Sequence, residues 1–229
     1  MKKKAIILLS GGLDSTTCAA IAKYQGFDLI GLTVNYGQNH AFELEASKKV
    51  ANHYGINEHS IIDIDLAQFG GSALTSNKIK IPRGRKISEM NDIPATYVPA
   101  RNTIFLSIAL AKAETVNSFD IFIGVNAIDY SGYPDCRPVF ISEFEKLANL
   151  ATKEAAQNKG SYKIHTPLIT LSKAEIIKKG RSLKVDYSIT SSCYKPNEHG
   201  NPCGFCDACI LRKKGFENAG FKDPLDYQL

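Results

Sequence analysis

The sequence predicts an α/β protein, with a Rossmann-like, mostly parallel sheet covered by helices on both faces and a small cysteine-bearing appendage at the C-terminal end. Three observations carry this prediction. Short β-branched apolar runs alternate with helical stretches over most of the chain, a glycine turn joins the first strand to the first helix, and four of the six cysteines fall between 193 and 209. Strands alternating with helices imply parallel strands joined by crossovers, which are buried on both faces. With 229 residues against a typical ~150 per domain, one large domain with an attachment is expected, divided here as 1–185 and 186–229.

Residues 4–9 are an apolar run, followed by Ser10-Gly11-Gly12-Leu13-Asp14-Ser15 and a helix-prone stretch, 16–24, closed by Gly26. Strand, glycine turn, helix is the reading. The pattern recurs with a strand at 29–34, a helix at 40–53 closed near Gly55, and an alternating strand at 59–66 carrying Asp63 and Asp65. From 68 to 92 the periodicity disappears, and Lys78, Lys80, Arg83, Arg85 and Lys86 stand among Gly, Ser and Pro. A loop of that length is either a solvated excursion or a lid over a site. Residues 97–102 lead into a helix at 103–115, then a buried strand at 119–125 and a polar segment at 126–137. A helix at 140–157 and a strand at 162–169 follow, and Ser172-Lys173-Ala174-Glu175 has the spacing of a capping box opening a helix to 179. A final short helix spans 206–218.

Composition narrows the class. Apolar residues make up 44% and charged residues 22%, so the chain buries a sizeable core. No uninterrupted apolar run exceeds five residues, where a spanning helix needs ~20. Lys2-Lys3-Lys4 before an apolar stretch imitates a signal peptide, but the stretch is shorter than the ~7–15 residues of an h-region and runs into Asp14. A first strand in a cytoplasmic protein is the expectation. The net charge of +5 suits an anionic ligand and falls short of the concentrated basic field of a dedicated nucleic-acid binder. Six cysteines are too sparse for a disulfide scaffold.

The Ser10 turn lies where free backbone N–H groups and the positive end of a helix dipole attract phosphate. Gly11 and Gly12 let the backbone approach a bulky anion, and Ser10, Ser15, Thr16 and Thr17 add hydroxyls. A tight turn with Asp14 or Ser15 as helix cap explains the same residues without a ligand. Neither the P-loop motif nor G-x-G-x-x-G occurs in the turn, which removes support from kinase-like and nicotinamide-binding readings.

Cys193, Cys203, Cys206 and Cys209, spaced x₉, x₂ and x₂, supply four thiolates that suit tetrahedral zinc, with His199 as a possible substitute ligand. The usual iron–sulfur run continues with x₃-Cys-Pro, whereas the fourth cysteine here lies upstream. A closed four-thiolate site is structural, so the appendage is read as zinc-binding. Cys18 reads as a core residue, and Cys136 as either a nucleophile or a small buried side chain.

Ser10-Gly11-Gly12-Leu13-Asp14-Ser15 resembles the SGGxDS signature of the ATP pyrophosphatase superfamily, which implies an adenine nucleotide alpha hydrolase-like fold, ATP bound on this turn and cleavage between the α- and β-phosphates. Further segments resemble the QueC family of 7-cyano-7-deazaguanine synthases: Tyr36-Gly37-Gln38-Asn39-His40, Val98-Pro99-Ala100-Arg101-Asn102, Gly124-Val125-Asn126, the segment from Asp129 to Arg137, Thr166-Pro167-Leu168, Ser172 to Glu175, and Ser192-Cys193-Tyr194. They run in order from Leu9 to Cys209. Asn39 stands where arginine or lysine is frequent in that family, and Ala100 replaces a frequent asparagine.

The resemblance implies conversion of 7-carboxy-7-deazaguanine, ammonia and ATP to a nitrile in queuosine biosynthesis, by a homodimeric enzyme that acts on small molecules and binds neither nucleic acid nor membrane. It places ATP on Leu9, Ser10, Gly11, Gly12, Leu13, Asp14, Ser15, Thr16, Thr17, Cys18 and Ala19. Magnesium is implied by polyphosphate, with Asp14 as an oxygen ligand. Arg101 and Lys173, each near the start of a predicted helix, are candidates to stabilise phosphate charge, or else surface ion-pair partners. Asp129, Asp135 and Arg137 are candidates for the deazaguanine edge and the substrate carboxylate, though turn hydrogen bonds explain such aspartates as well. Three other readings use the same residues. A tRNA-thiolating relative would carry persulfide on Cys136, a zinc module would bind nucleic acid through Arg212-Lys213-Lys214, and an amide-forming ligase would stop before the nitrile.

Overall fold

The computed structural model describes residues 2–39, 41–90, 92–127 and 132–228. Five parallel strands form one sheet in the order β3-β2-β1-β4-β5: β1 (Lys4–Leu8), β2 (Asp28–Asn35), β3 (Glu58–Asp63), β4 (Asp120–Phe122) and β5 (Lys163–His165). Strand order reverses between β1 and β4, and the crevice at the carboxyl ends of those two strands is where such sheets take ligands.

Alternation along β1 sorts the core. Ala5 and Ile7 point into one apolar layer and Ile6 and Leu8 into the other. The first layer is closed by α1 (Leu13–Tyr24), α2 (Phe42–His53), α6 (Lys173–Ser182) and α7 (Asp207–Ala219), through residues such as Ala19, Val50, Ile176 and Phe216. The second is closed by α3 (Arg101–Thr115) and α4 (Pro138–Ala151), through Leu106, Ala109, Ile141 and Phe144. Helices therefore cover both faces, as the sequence predicts. No helix among the described residues is long and apolar enough to cross a membrane.

The differences from expectation lie at element ends. α1 begins at Leu13, so Asp14 and Ser15 are its first turn rather than part of the preceding loop. The predicted helix 140–157 starts earlier, with Pro138 at a position where a missing N–H costs nothing, and it breaks at Thr152, whose backbone is extended before the short α5 (Lys153–Ala156). β5 ends before Thr166-Pro167, because proline has no N–H for the ladder. The predicted capping box is present: the Glu175 amide donates to Ser172 Oγ at 3.4 Å, and the Ser172 amide donates to Glu175 Oε2 at 2.8 Å.

Ala100, which leads into α3, has φ 54° and ψ 20°, in the left-handed region. An alanine there costs roughly 1–2 kcal/mol, and asparagine tolerates the conformation better. Ala100→Asn is therefore expected to raise the thermal midpoint by about 2–4 °C per kcal/mol recovered; a scanning melt showing a lower midpoint would contradict this.

Candidate active site

A cavity of about 220 Å³ opens at the carboxyl ends of β1, β2 and β4, lined among others by Ser10, Gly12, Asp14, Ser15, Tyr36, Glu43, Arg101, Asn126, Tyr133, Ser192 and Tyr194. Its floor is the glycine turn. A Cβ on Gly12 would lie 3.4 Å from Ser10 Oγ and 3.5 Å from the Ser191 carbonyl, so its absence keeps the floor open. Gly11, at φ +78°, answers to a different neighbour, since a side chain there would run into the backbone of α2 at Ala46 and Ser47.

The hydroxyls divide into two sets. Ser10 donates to Ser15 Oγ at 3.0 Å, and both line the cavity. Thr16 and Thr17 are fully buried and donate to the Gly12 and Leu13 carbonyls, both at 2.8 Å. Cys18 and Ala19 face the apolar core. Within the expected 9–19 stretch, then, Leu9 through Ser15 meet the cavity or its floor, while 16–19 anchor the helix behind it.

Lys173 and Arg101 are the first residues of α6 and α3. Lys173 Nζ donates to both oxygens of Asp14, at 2.8 and 2.7 Å. Its stem passes over Gly215 of α7, where any side chain would collide with Lys173 Cγ. Gly124, just past β4, lies against the same turn, where a Cβ would come within 3.0 Å of the Asp14 carbonyl. The Arg101 guanidinium lies 5.8 Å from the Tyr36 ring and 6.0 Å from the Tyr133 ring, held between two aromatic faces inside the cavity. Neither cation is a solvated surface partner.

The candidates for the heterocycle fare differently. Asp129 lies outside the described residues. Asp135 is buried, and its carboxylate accepts from the Asn102 amide at 2.9 Å, capping the start of α3 in place of a side chain from Ala100. Arg137 is exposed, donates to the Pro134 carbonyl at 3.0 Å, and lies with Asp135 on a separate outer groove. Asp135 thus serves the start of α3 and Arg137 the turn before α4, and neither lines the main cavity.

Cys136 does line the cavity, with its sulfur accepting from Asn102 Nδ2 at 3.2 Å. Burial pushes its thiol up to about 12, with the neighbouring Asp135 adding to the rise, so it is a thiol and not a nucleophilic thiolate near neutral pH. Native protein is expected to resist iodoacetamide at Cys136, and Cys136→Ser to keep turnover within about threefold. Rapid alkylation or abolished turnover would return Cys136 to the chemistry.

The four expected cysteines come together, with all four sulfurs within 4.8 Å of one another and all four residues buried. Backbone amides point at the sulfurs: Cys203 N to Cys193 Sγ at 3.2 Å, Lys195 N to Cys193 Sγ at 3.3 Å and Cys206 N to Cys203 Sγ at 3.3 Å. Amides aimed at sulfur favour thiolates, and four converging thiolates fit a metal ion. His199 stays outside the cluster, exposed and 3.4 Å from Glu198.

The cluster is tied to the cradle. Ser191 N donates to the Gly11 carbonyl at 2.9 Å and Leu13 N to Ser192 Oγ at 3.3 Å, immediately before Cys193. It also holds the long loop. Arg83 bridges Cys206, Gly84 N donates to the Phe205 carbonyl at 2.8 Å, and Arg85 pairs with the buried Asp207. The loop is thus pinned at its basic stretch while Lys78, Lys80 and Lys86 remain solvated. Arg212, expected in one alternative to face nucleic acid, is 2% exposed and pairs with Asp223 at 2.8 Å, so it is a buried strut of α7.

Glu43 and Ser191 carry no signal in the sequence, and Tyr36, Gln38, Tyr133 and Tyr194 stand there only within longer family-like segments. The signal available was position, since Tyr36 directly follows β2 at the ligand-binding end of the sheet.

Sheet order, glycine turn and the part-buried Lys173–Asp14 pair together define a Rossmann-like α/β class with its ligand site at the switch point of the sheet. A solved NMN synthetase from Francisella tularensis shares this fold, with a TM-score of 0.50 at 18% identity over 96% of this chain and 78% of that one. The profile described as "Queuosine biosynthesis protein QueC" matches residues 4–220, and the chain belongs to that family. It is similar to proteins named 7-cyano-7-deazaguanine synthase from Citrifermentans bemidjiense, 61% identical over 100% of this chain and 99% of the relative, and from Syntrophotalea carbinolica, 58% identical over 99% and 97%.

Proposed function

We propose that the chain converts 7-carboxy-7-deazaguanine, ammonia and ATP to 7-cyano-7-deazaguanine, the product for which its relatives are named. The observation that carries this reading is the Ser10–Ser15 turn opening into a cavity lined also by Arg101 and by Asp14, whose carboxylate Lys173 grips.

A carboxylate resists ammonia because oxide is too poor a leaving group. The cradle meets that need by presenting backbone N–H groups and the Ser10 and Ser15 hydroxyls to the phosphates that leave, while the carboxylate attacks the α-phosphorus and AMP becomes the leaving group. Lys173, held at Asp14, and Arg101, held between two rings, supply fixed positive charge where negative charge develops. Ammonia then displaces AMP to give the amide. A second activation, at the amide oxygen, allows loss of AMP and a proton to form the nitrile. Asp14 is the residue that would hold magnesium, since each oxygen keeps a lone pair after accepting from Lys173. Zinc is the ion proposed for Cys193, Cys203, Cys206 and Cys209. With four thiolates and no open position it supplies folding energy rather than Lewis-acid chemistry.

The family resemblance supports a homodimer working in the cytoplasm on small molecules. The burial of Arg212 weighs against a nucleic-acid role, and the protonated Cys136 weighs against thiolation. The test is mass spectrometry of protein incubated with ATP, magnesium, ammonium and 7-carboxy-7-deazaguanine. Appearance of the nitrile is expected; return of the acid unchanged from metal-loaded protein would overturn the assignment.

A further inference from the structure

Beside the main cavity lies a second, small one of about 10 Å³, lined by Tyr36, Gln38, Asn39, Glu43, Leu74 and Tyr194. Tyr36, Gln38, Glu43 and Tyr194 line both, so the small chamber is a side pocket of the active site. About 10–15 Å³ measured this way holds one water-sized particle, and an ammonium ion is of that size. The wall is rich in acceptors. Gly37, at φ +82°, turns the chain after β2 so that Gln38 Oε1 folds back to accept from the Tyr36 amide at 2.9 Å, and Asn39 Nδ2 donates to the Ala73 carbonyl, which is not part of the pocket wall, at 3.2 Å. Asn39 is thereby left to present its oxygen as an acceptor.

Two acidic side chains line the main cavity among the described residues, and they are not equivalent. Both oxygens of Asp14 accept from Lys173, which holds that carboxylate on the phosphate side of the cavity. Glu43 has no hydrogen-bond partner among the described residues and is the one carboxylate common to both chambers.

Resting on the reaction proposed above, we propose that this side pocket is the ammonium site and that Glu43 deprotonates ammonium as it passes to the activated substrate. The step balances as follows. Glu43 takes one proton from the ammonium ion, and the nitrogen lone pair so released forms the C–N bond at the activated carbonyl carbon. The C–O bond to the nucleotide breaks with its electron pair on AMP, and the second proton leaves the nitrogen for water. Groups facing Glu43 are Tyr36 at the end of β2, Arg101 of α3 and Tyr194 beside the cysteine cluster. Burial pushes the Glu43 carboxyl up to about 7, with the Arg101 charge pulling the other way, which suits a base working near neutrality.

The test compares two nitrogen nucleophiles with the full-length, metal-loaded enzyme. Hydroxylamine is largely neutral near pH 7 and needs no base to free its lone pair, whereas ammonium does. Glu43→Gln is expected to lose at least about tenfold in kcat/KM for ammonium, on the scale of general-base contributions, and to keep hydroxamate formation from hydroxylamine within about twofold of wild type. Retained hydroxamate formation also shows that the variant is folded and activates its substrate. Glu43→Asp is expected to recover part of the ammonium activity. An unchanged response to ammonium, or equal losses with both nucleophiles, would overturn the proposal. Failure of the wild-type enzyme with both nucleophiles would instead overturn the function on which it rests.

Discussion

Replacing Lys173 with methionine is expected to lower turnover by about 10³-fold, within the range seen when a fixed charge facing a reacting phosphate or oxyanion is removed. Methionine keeps the apolar stem that packs over Gly215 and removes only the ammonium that grips Asp14. The Lys173 side chain is 8% exposed and that of Asp14 is 22% exposed, so water reaches the carboxylate left behind. The cost in stability is therefore put below the ~3–5 kcal/mol of a fully buried broken pair, at about 1–3 kcal/mol. Lys173→Arg is expected to fail as well, because a planar fork does not replace a point charge in a space shaped by Gly215. Steady-state kinetics beside a thermal melt check this; a folded Lys173→Met enzyme within about tenfold of wild-type kcat would remove Lys173 from the chemistry.

The second large effect is expected on emptying the proposed four-cysteine metal site. Chelation, or Cys203→Ser, is expected to lower the thermal midpoint by more than about 10 °C, the equivalent of roughly 3–5 kcal/mol in a chain of this size. ATP binding should be lost with it. The reason is connectivity: Ser191 and Ser192, which hold Gly11 and Leu13, immediately precede Cys193. The strand-like contact of Arg83 with Cys206 ties the long loop to the same cluster. Metal analysis should find one ion per chain, bound by Cys193, Cys203, Cys206 and Cys209. Metal-free protein that binds ATP with unchanged affinity would separate the cluster from the cradle.

Much of this architecture is legible in the residues themselves. The apolar runs mark all five strands, and the Ser10–Ser15 turn and the cysteine spacing mark two centres that converge in space. Helix ends are less legible, because the start of α1, where Leu13 N donates to Ser192, and the break at Thr152, where Lys153 N donates to Glu114, meet neighbours far away in sequence. The pairing of Lys173 with Asp14 spans 159 positions and no local pattern encodes it. Asp135 shows the opposite case: an aspartate in a polar strand-end segment reads as a ligand, yet its carboxylate also caps a helix through Asn102, 33 positions upstream. Glu43 went unassigned because a glutamate in the first turn of a helix is ordinary. Only the fold turns it toward a cavity shared with Arg101.

The central claim is that this cradle directs the substrate carboxylate to the α-phosphorus of ATP. Turnover of 7-carboxy-7-deazaguanine labelled with oxygen-18 in both carboxylate positions, with the nucleotide products analysed by mass spectrometry, tests it directly. The account predicts nitrile accompanied by AMP carrying the label in its phosphate, with unlabelled pyrophosphate. Label recovered in orthophosphate alongside ADP would contradict it.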